Sequence, residues 1–474
     1  MNFEQLKNEV REGRPVKSHS GLVKSGDIFV AVPGSKVDGS KYINDALNKG
    51  AAWIVAQKQV GFISDKVVVH DNPAVALGDL ARAFYNTDQL DMSVIGITGT
   101  NGKTTVSYLL EHIFTNSGLS TGVVGTVTYR WMGKTIEASM TTPDCLKIHE
   151  MLSMMDKDGV ELVIMEVSSH ALAQDRVAGI DFDAGVFTNL TQDHLDYHQD
   201  MEEYFQAKAK LFLSQDRKKP FKAVINQDDT YGQRLLKDIP GAMGFGLDDS
   251  KKPALSGKFV KNDRTGVSIE CSYNGLRWTT ASPLCGRHNA SNLLAAQGVA
   301  LSIGLSPEKF KCLETVDQVP GRLEKVPNNA GLDIYVDYAH TPDALENICL
   351  SIKSLDFARM LLVFGCGGNR DRTKRPLMGQ VAARYADVVF LTSDNPRLED
   401  PMSIIEDVIP GLEGCQNLQV EVERRKAIRM AVKSMTKGDV LVVAGKGHEN
   451  YQDIMGKKHW FSDVEEIKKA VTAL

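Results

Sequence analysis

Residues 92–105, MSVIGITGTNGKTT, constrain the fold more than any other part of the chain. The apolar run is short and uninterrupted, which reads as a strand buried on both faces. It passes through a glycine turn straight into TTVSYLLEHIFTNSG, whose apolar residues recur at helical spacing. Further runs of the same kind follow, VELVIMEV, DAGVFTNL and KAVIN, with helical stretches such as EEYFQAKAKLFLS among them. Apolar strands that alternate with helices belong to a parallel sheet covered on both sides.

The flanks differ from this centre. Before it, GDIFVAV, the helical YINDALNKGA, AAWIVA and a helix over Pro73 to Tyr85 form a small α/β unit. After VPGR at 319–322 a second alternation begins, with LDIYVDYA, MLLVFG, DVVFLTS, LQVEV and DVLVVAG as strands. RPLMGQVAARYA and RKAIRMAVKSM carry helical spacing between them. At 474 residues the chain is too long for one core. The expected class is α/β in three domains: a small N-terminal α/β domain at 1–90, a central P-loop-type, mostly parallel sheet domain at 91–317, and a C-terminal Rossmann-like doubly wound domain at 318–474.

A net charge of -5, with scattered Lys and Arg, argues against a nucleic-acid partner. The start, MNFEQLKNEVREGRPV, lacks a cationic and then apolar leader, and no window is apolar enough to span a bilayer. The seven cysteines include no C-x-x-C pair, which suits reduced thiols better than disulfides or zinc. A cytoplasmic protein is expected.

The glycine turn is suited to phosphate. Backbone N–H groups at a helix N-terminus favour anions. Gly99 and Gly102 allow the tight turn, Lys103 can reach β- and γ-phosphates, and the Thr104 hydroxyl can ligate Mg²⁺. The general phosphate-loop pattern is matched imperfectly, with Ile97 where its first glycine falls. The plainer alternative is a glycine turn that binds nothing. Glu166 ends its strand, where a metal-facing carboxylate would stand. TNLTQDHLDYH supplies Asp193, His194, Asp196 and His198, although a solvated helix start with capping aspartates would look alike. In YFQAKAKLF nothing separates Lys208 from Lys210.

The second half places polar clusters after its strands: Asp337 and His340 in VDYAHTPDAL, the cationic GCGGNRDRTKRP, Arg397 in SDNPRLEDP, and Lys446, His448 and Glu449 in GKGHENYQ. Arginine forks suit a carboxylate and a glutamate suits an ammonium, so a site with both signs suits an amino acid.

Ten blocks in order, GTNGKTT, TTPD, MEVSSHAL, FTNLTQDHLDYH, GRHNASNLLAA, PGRLE, DYAHTPDAL, GCGGNRDRTKRPLMG, DNPR and GKGHE, resemble the Mur ligase family from about Ser20 to about Asp463. The resemblance implies an ATP-dependent ligase that activates a carboxylate as an acyl phosphate in cytoplasmic peptidoglycan precursor synthesis. It implies ATP contacts at Gly99, Thr100, Asn101, Gly102, Lys103, Thr104 and Thr105, and, for adenosine and phosphate, at Asn289, Asn292, Arg322 and Asp337. Lys103, Glu166, His194 and Lys208 would be catalytic. Thr104, Glu166, His194 and Lys208, the last as a carbamate, would hold Mg²⁺. Ser20, Thr141, Thr142, Ser168, Gln174 and Arg176 would grip the UDP-sugar substrate. Arg370, Asp394, Asn395, Pro396, Arg397, Gly445 and Glu449 would line the pocket for the incoming amino acid.

In this family DNPR resembles the signature of members that add meso-diaminopimelate to a UDP-N-acetylmuramoyl dipeptide, and lysine is the alternative amino acid. These substrates, ATP and a monomeric state complete the implied partners. Two departures stand out: the usual D-S-R near the N-terminus reads His19-Ser20-Gly21, and the usual D-R before the penultimate helix reads Glu423-Arg424. Two rivals are a folylpolyglutamate synthetase, which MEVSSHAL, TTPD and DNPR do not suit, and a nucleotide switch without ligase activity.

Overall fold

The computed structural model describes residues 1–34, 37–58, 65–195, 197–214 and 219–474. Asp196 lies outside them. The chain forms two compact units: Met1–Gly99, Phe114–Phe187 and Phe205–Ala223 make one, and Thr100–Ile113, Thr188–Tyr204 and Val224–Leu474 the other.

The first unit opens with four parallel strands, Val16–Lys17, Ile28–Val30, Trp53–Ala56 and Val67–Val69, in that order. Ile28 and Val30 join Leu6, Val10, Leu77 and Leu80 of the helices Phe3–Arg11 and Pro73–Tyr85 in one core. Phe29 points the other way, into Ile43, Ala46 and Ile54. Cover on both faces explains why IFV is apolar throughout. Asn72 caps the helix Pro73–Tyr85 and proline takes its first turn, where no N–H is needed.

The same unit holds the strand Ser93–Thr98 between Leu162–Glu166 and Ala184–Phe187, all parallel, with Ile97 opposite Glu166. Thr121–Val124 pairs parallel to Leu162–Glu166, and Thr128–Trp131 and Lys134–Glu137 continue antiparallel.

In the second unit Lys222–Asn226, which begins in the first, pairs through Val224 with Met243–Gly246 and then Leu255–Asp263, in parallel. Gly266–Tyr273 and Leu276–Ser282 complete an antiparallel meander. Sequence reading did not anticipate this meander. Its turn, Asn274-Gly275, has both residues at positive φ (48° and 79°), as a two-residue hairpin requires.

A six-stranded sheet follows, ordered Glu324–Lys325, Asp333–Asp337, Val440–Ala444, Met360–Phe364, Val388–Leu391, Leu418–Val420, parallel except at the first pair. Leu362, Phe364 and Val442 pack on one face with Leu345, Ile348 and Met378 of the helices Pro342–Lys353 and Lys374–Tyr385. Leu361, Val363 and Leu441 pack on the other with Ala427, Ile428 and Ile467 of Arg424–Ser434 and Asp463–Thr472. This is the doubly wound arrangement read from the alternation. The polar clusters therefore follow the carboxyl ends of its strands, where such sheets bind ligands.

Candidate active site

The phosphate loop leaves its strand at Gly99 (φ 145°) and turns at Gly102 (φ 88°). A Cβ on Gly102 would lie 2.5 Å from Asn292 Oδ1, so only glycine fits. The loop backbone is held by the TNLT segment. Thr100 N–H donates to Asn189 O (2.9 Å), Asn101 N–H to Asn189 Oδ1 (2.9 Å), and the Thr188 hydroxyl to Asn101 O (2.6 Å). Lys103 Nζ donates to Thr100 O at 2.8 Å, folded back over its own loop. Thr104 and Thr105 are buried in the first turn of the helix Lys103–Asn116.

Several residues expected around adenosine and phosphate converge on this loop. Arg322 Nη2 lies 3.3 Å from the Thr104 hydroxyl, to which it donates, and its guanidinium covers the Tyr338 ring at 4.9 Å. Asn292 Nδ2 donates to Asn289 Oδ1 (3.2 Å), and Asn289 Nδ2 to Cys285 O (2.8 Å). Asp337 accepts the N–H groups of Leu323 (2.6 Å) and Ala339 (2.8 Å). Asp343, which sequence reading passed over, accepts from Asn101 Nδ2 (3.0 Å) and the Thr191 hydroxyl (2.8 Å) at the start of its helix.

Burial pushes the Asp337 carboxyl up to about 6, against the pull of Arg322 and backbone donors. The folded state thus holds this proton more tightly than the unfolded chain. Stability relative to Asp337→Asn should be greatest below about pH 4 and fall as pH rises through about 6, by about 3 kcal/mol in all. The Tm difference between the two proteins across that window measures it. A difference that does not change with pH would contradict the assignment.

His194 has φ 55°, and its Nε2 lies 3.5 Å from Asp193 Oδ2. Burial raises the Asp193 carboxyl, but the charges of His194, His340 and Lys374 overcome this and hold it below its ordinary value. The helix Met201–Leu213 starts beyond these residues, and the aspartate at its entrance is Asp200, whose Oδ1 accepts Glu203 N–H at 2.8 Å. Asp193 therefore lies ahead of the helix and does not supply its cap.

In the first unit, Lys208 is 1% exposed and its Nζ donates to Gly99 O at 2.8 Å. Lys210 is half-exposed, 3.5 Å from Asp175. Burial separates two lysines that the sequence could not. Glu166, 1% exposed, accepts from Thr126 N–H (3.0 Å) and Oγ1 (2.8 Å). Around it the TTPD residues form one connected patch. Thr141 Oγ1 meets Thr126 Oγ1 (3.1 Å), and Thr142 Oγ1 donates to Glu166 O (2.8 Å) and accepts Ser168 N–H (3.0 Å). Arg176 donates to Thr142 O (3.1 Å) and, through Nη2, to Gln174 Oε1 (2.6 Å). Ser20 belongs to the N-terminal sheet region, its carbonyl accepting from Lys49 Nζ at 3.1 Å.

The third cluster follows the six-stranded sheet. Asn395 Nδ2 donates to Glu449 Oε2 (2.8 Å), and buried Lys446 donates to Asn395 Oδ1 (2.9 Å) and Glu449 Oε2 (3.2 Å). Asp394 Oδ2 lies 2.6 Å from where a Cβ on Gly445 (φ 118°) would stand. Burial raises the Asp394 carboxyl, yet Lys446 and Arg424 hold it below its ordinary value. Arg397 (φ 53°) donates from Nη1 to Gly368 O (2.6 Å), and Arg370 is exposed one residue after Asn369 (φ 52°). Left-handed backbone at non-glycine residues costs on the order of 1–3 kcal/mol each and gathers at functional loops. Asp175, His194, Leu323, Asn369 and Arg397 are all of this kind.

Among the described residues no three His, Cys, Asp or Glu side chains lie close enough to hold a metal. Mg²⁺ does not require such a cluster, since it commonly takes one or two carboxylates with phosphate and water oxygens. The buried Glu166 carboxylate and the Thr104 hydroxyl are donors of that hard kind.

The chain belongs to the Mur ligase family, whose members are ATP-dependent amide-bond synthetases. Residues 16–85, 97–300 and 321–447 match the family's "Mur ligase family, catalytic domain", "Mur ligase middle domain" and "Mur ligase, glutamate ligase domain". A UDP-N-acetylmuramoyl-L-alanyl-D-glutamate--2,6-diaminopimelate ligase of Lawsonia intracellularis is 50% identical over 457 residues, 95% of this chain and 94% of the relative. One of the same description from Aquifex aeolicus is 41% identical over 451 residues, 95% of this chain and 92% of the relative. A solved structure of a ligase so described superposes with TM-score 0.69 at 33% identity, covering 97% of this chain and 94% of that one. The fold is the three-domain α/β fold of this family.

Proposed function

We propose that this protein joins meso-diaminopimelate to the D-glutamyl carboxylate of UDP-N-acetylmuramoyl-L-alanyl-D-glutamate, with ATP, as a cytoplasmic monomer. The observation that carries the choice of amino acid is the third cluster. Glu449 and Asp394 there suit an ammonium, and the two arginine loops around Arg370 and Arg397 suit carboxylates. Lysine has no second carboxylate and would leave an arginine without a partner.

In this reading the substrate carboxylate attacks the γ-phosphorus of ATP, giving an acyl phosphate and ADP. The amine then attacks the acyl carbon and phosphate leaves. Lys103 neutralises charge on the transferred phosphoryl group, and the N–H groups of residues 99–105 orient the triphosphate. Arg322 and Asp337 act on the nucleotide side, with Asn289 and Asn292 behind the loop. Thr141, Thr142, Ser168, Gln174, Arg176 and, from the first domain, Ser20 hold the UDP-sugar. Thr104, Glu166, His194 and Lys208 as a carbamate would hold Mg²⁺, which when bound disperses negative charge on the phosphates. A carbamate suits this role because it converts a buried cation into an anion. Residues 1–90, 91–317 and 318–474 are the corresponding domains.

The test supplies ATP, Mg²⁺ and the dipeptide precursor with either meso-diaminopimelate or L-lysine, and weighs the product. Efficient tripeptide formation is expected with the first alone. Equal use of lysine would refute the amino-acid assignment, and phosphate release indifferent to both would point to a nucleotide switch.

A further inference from the structure

Arg375 is among the largest side chains with no exposed surface, and the reaction above makes no use of it. It lies in the first turn of the helix Lys374–Tyr385. Its Nη1 donates to Glu399 Oε2 (2.9 Å) and Asp407 Oδ2 (2.7 Å), and its Nη2 to Glu399 Oε1 (3.0 Å) and Gly367 O (3.2 Å). Glu399 Oε1 also accepts the backbone N–H of Asn369. One partly buried ion pair therefore ties the loop that carries Arg370 to the loop that carries Arg397.

The two loops interlock around it. Gly368 N–H donates to Asn395 O (2.9 Å), and Leu398 N–H to Asn369 Oδ1 (2.9 Å). A Cβ on Gly368 would stand 1.9 Å from Pro396 O, and one on Gly367 3.0 Å from Arg397 Nη1. Asn369 and Arg397 are both left-handed, a conformation that persists only where the surroundings impose it. The hydrogen bond from Arg375 also holds the Glu399 carboxyl below its ordinary value, so the pair stays charged near neutral pH.

We infer that Arg375 and Glu399 are positioning residues that fix the spacing of the Arg370 and Arg397 guanidinium groups, and that this spacing selects an amino acid with a second carboxylate. The inference rests on the amino-acid assignment proposed above. A planar fork grips a carboxylate only in register, so a shift of about 1 Å between the loops weakens the grip on a dicarboxylate by about 10- to 100-fold. An amino acid without that carboxylate loses nothing by the shift.

Glu399→Gln keeps the shape and removes the charge, and Arg375→Lys keeps the charge and removes the fork. In the full-length enzyme each is expected to raise KM for meso-diaminopimelate about 10- to 100-fold. KM for ATP and the slow ligation of lysine should change by less than about threefold, so the preference between the amino acids collapses. Loss of folded protein would lower both ligations together and leave that ratio intact, which separates positioning from mere stability. If Arg375→Lys does not fold, Glu399→Gln alone decides. Preference kept by Glu399→Gln, in a wild type that has it, overturns this inference only. A wild type without preference overturns the amino-acid assignment and this inference together.

Discussion

Lys103→Ala is expected to leave a folded protein whose turnover falls by at least about 10²- to 10³-fold. Lys103 opens the helix Lys103–Asn116 and its ammonium rests on the Thr100 carbonyl of its own loop. Alanine is the best helix former, so the helix should persist. What disappears is the cation that, in the proposed reaction, neutralises charge on the transferred phosphoryl group. Unchanged Tm together with lost ADP release is the expected pair of results. Near-normal ADP release would remove Lys103 from the proposed role.

The largest loss of stability is expected at Arg424. Its Nε and Nη2 meet Asp463 Oδ1 and Oδ2 at 2.7 and 2.8 Å, Nη2 also donates to Ala444 O at 2.9 Å, and neither side chain of the pair is exposed. Arg424→Met would strand Asp463 and remove a charge that holds Asp394 ionised. Breaking one side of such a buried pair costs about 3–5 kcal/mol, whereas replacing both sides by apolar residues is often close to neutral. Denaturant unfolding should therefore find Arg424→Met less stable than Arg424→Met with Asp463→Leu. The reverse order would show that the pair is not what holds this region. The departure noted in the sequence, Glu423 for aspartate, falls on the residue beside it, which pairs with Lys426 at the surface and leaves the clasp untouched.

Much of this was legible from the chain alone because apolar runs and helical spacing report burial directly. MSVIGIT, VELVIMEV and DVLVVAG announced strands covered on both faces, and the polar loops after them fell where the sheet ends. What escaped was of another kind. Lys208 and Lys210 have the same local setting, and only packing from distant segments buries the first. The meander over 255–282 carries mixed polar faces, so no apolar run marked it, although Asn274-Gly275 was a usable turn signal. Arg375 sits in a cationic stretch that reads as suited to holding an anion, and its two acidic partners lie 24 and 32 residues away. Asp343 is farther still from Asn101, 242 residues along the chain.

The order of the six-stranded sheet bears on how the molecule comes to exist. Its inner strand, Val440–Ala444, lies between Asp333–Asp337 and Met360–Phe364, yet it leaves the ribosome after both of them. Until it arrives, two apolar strands face each other across a gap with their ladder groups unpaired, a state prone to clumping. Arg424 must likewise wait for Asp463. A message cut short before the helix Asp463–Thr472 would therefore yield a protein lacking the closing half of its ion pair, and cells making such fragments should degrade them.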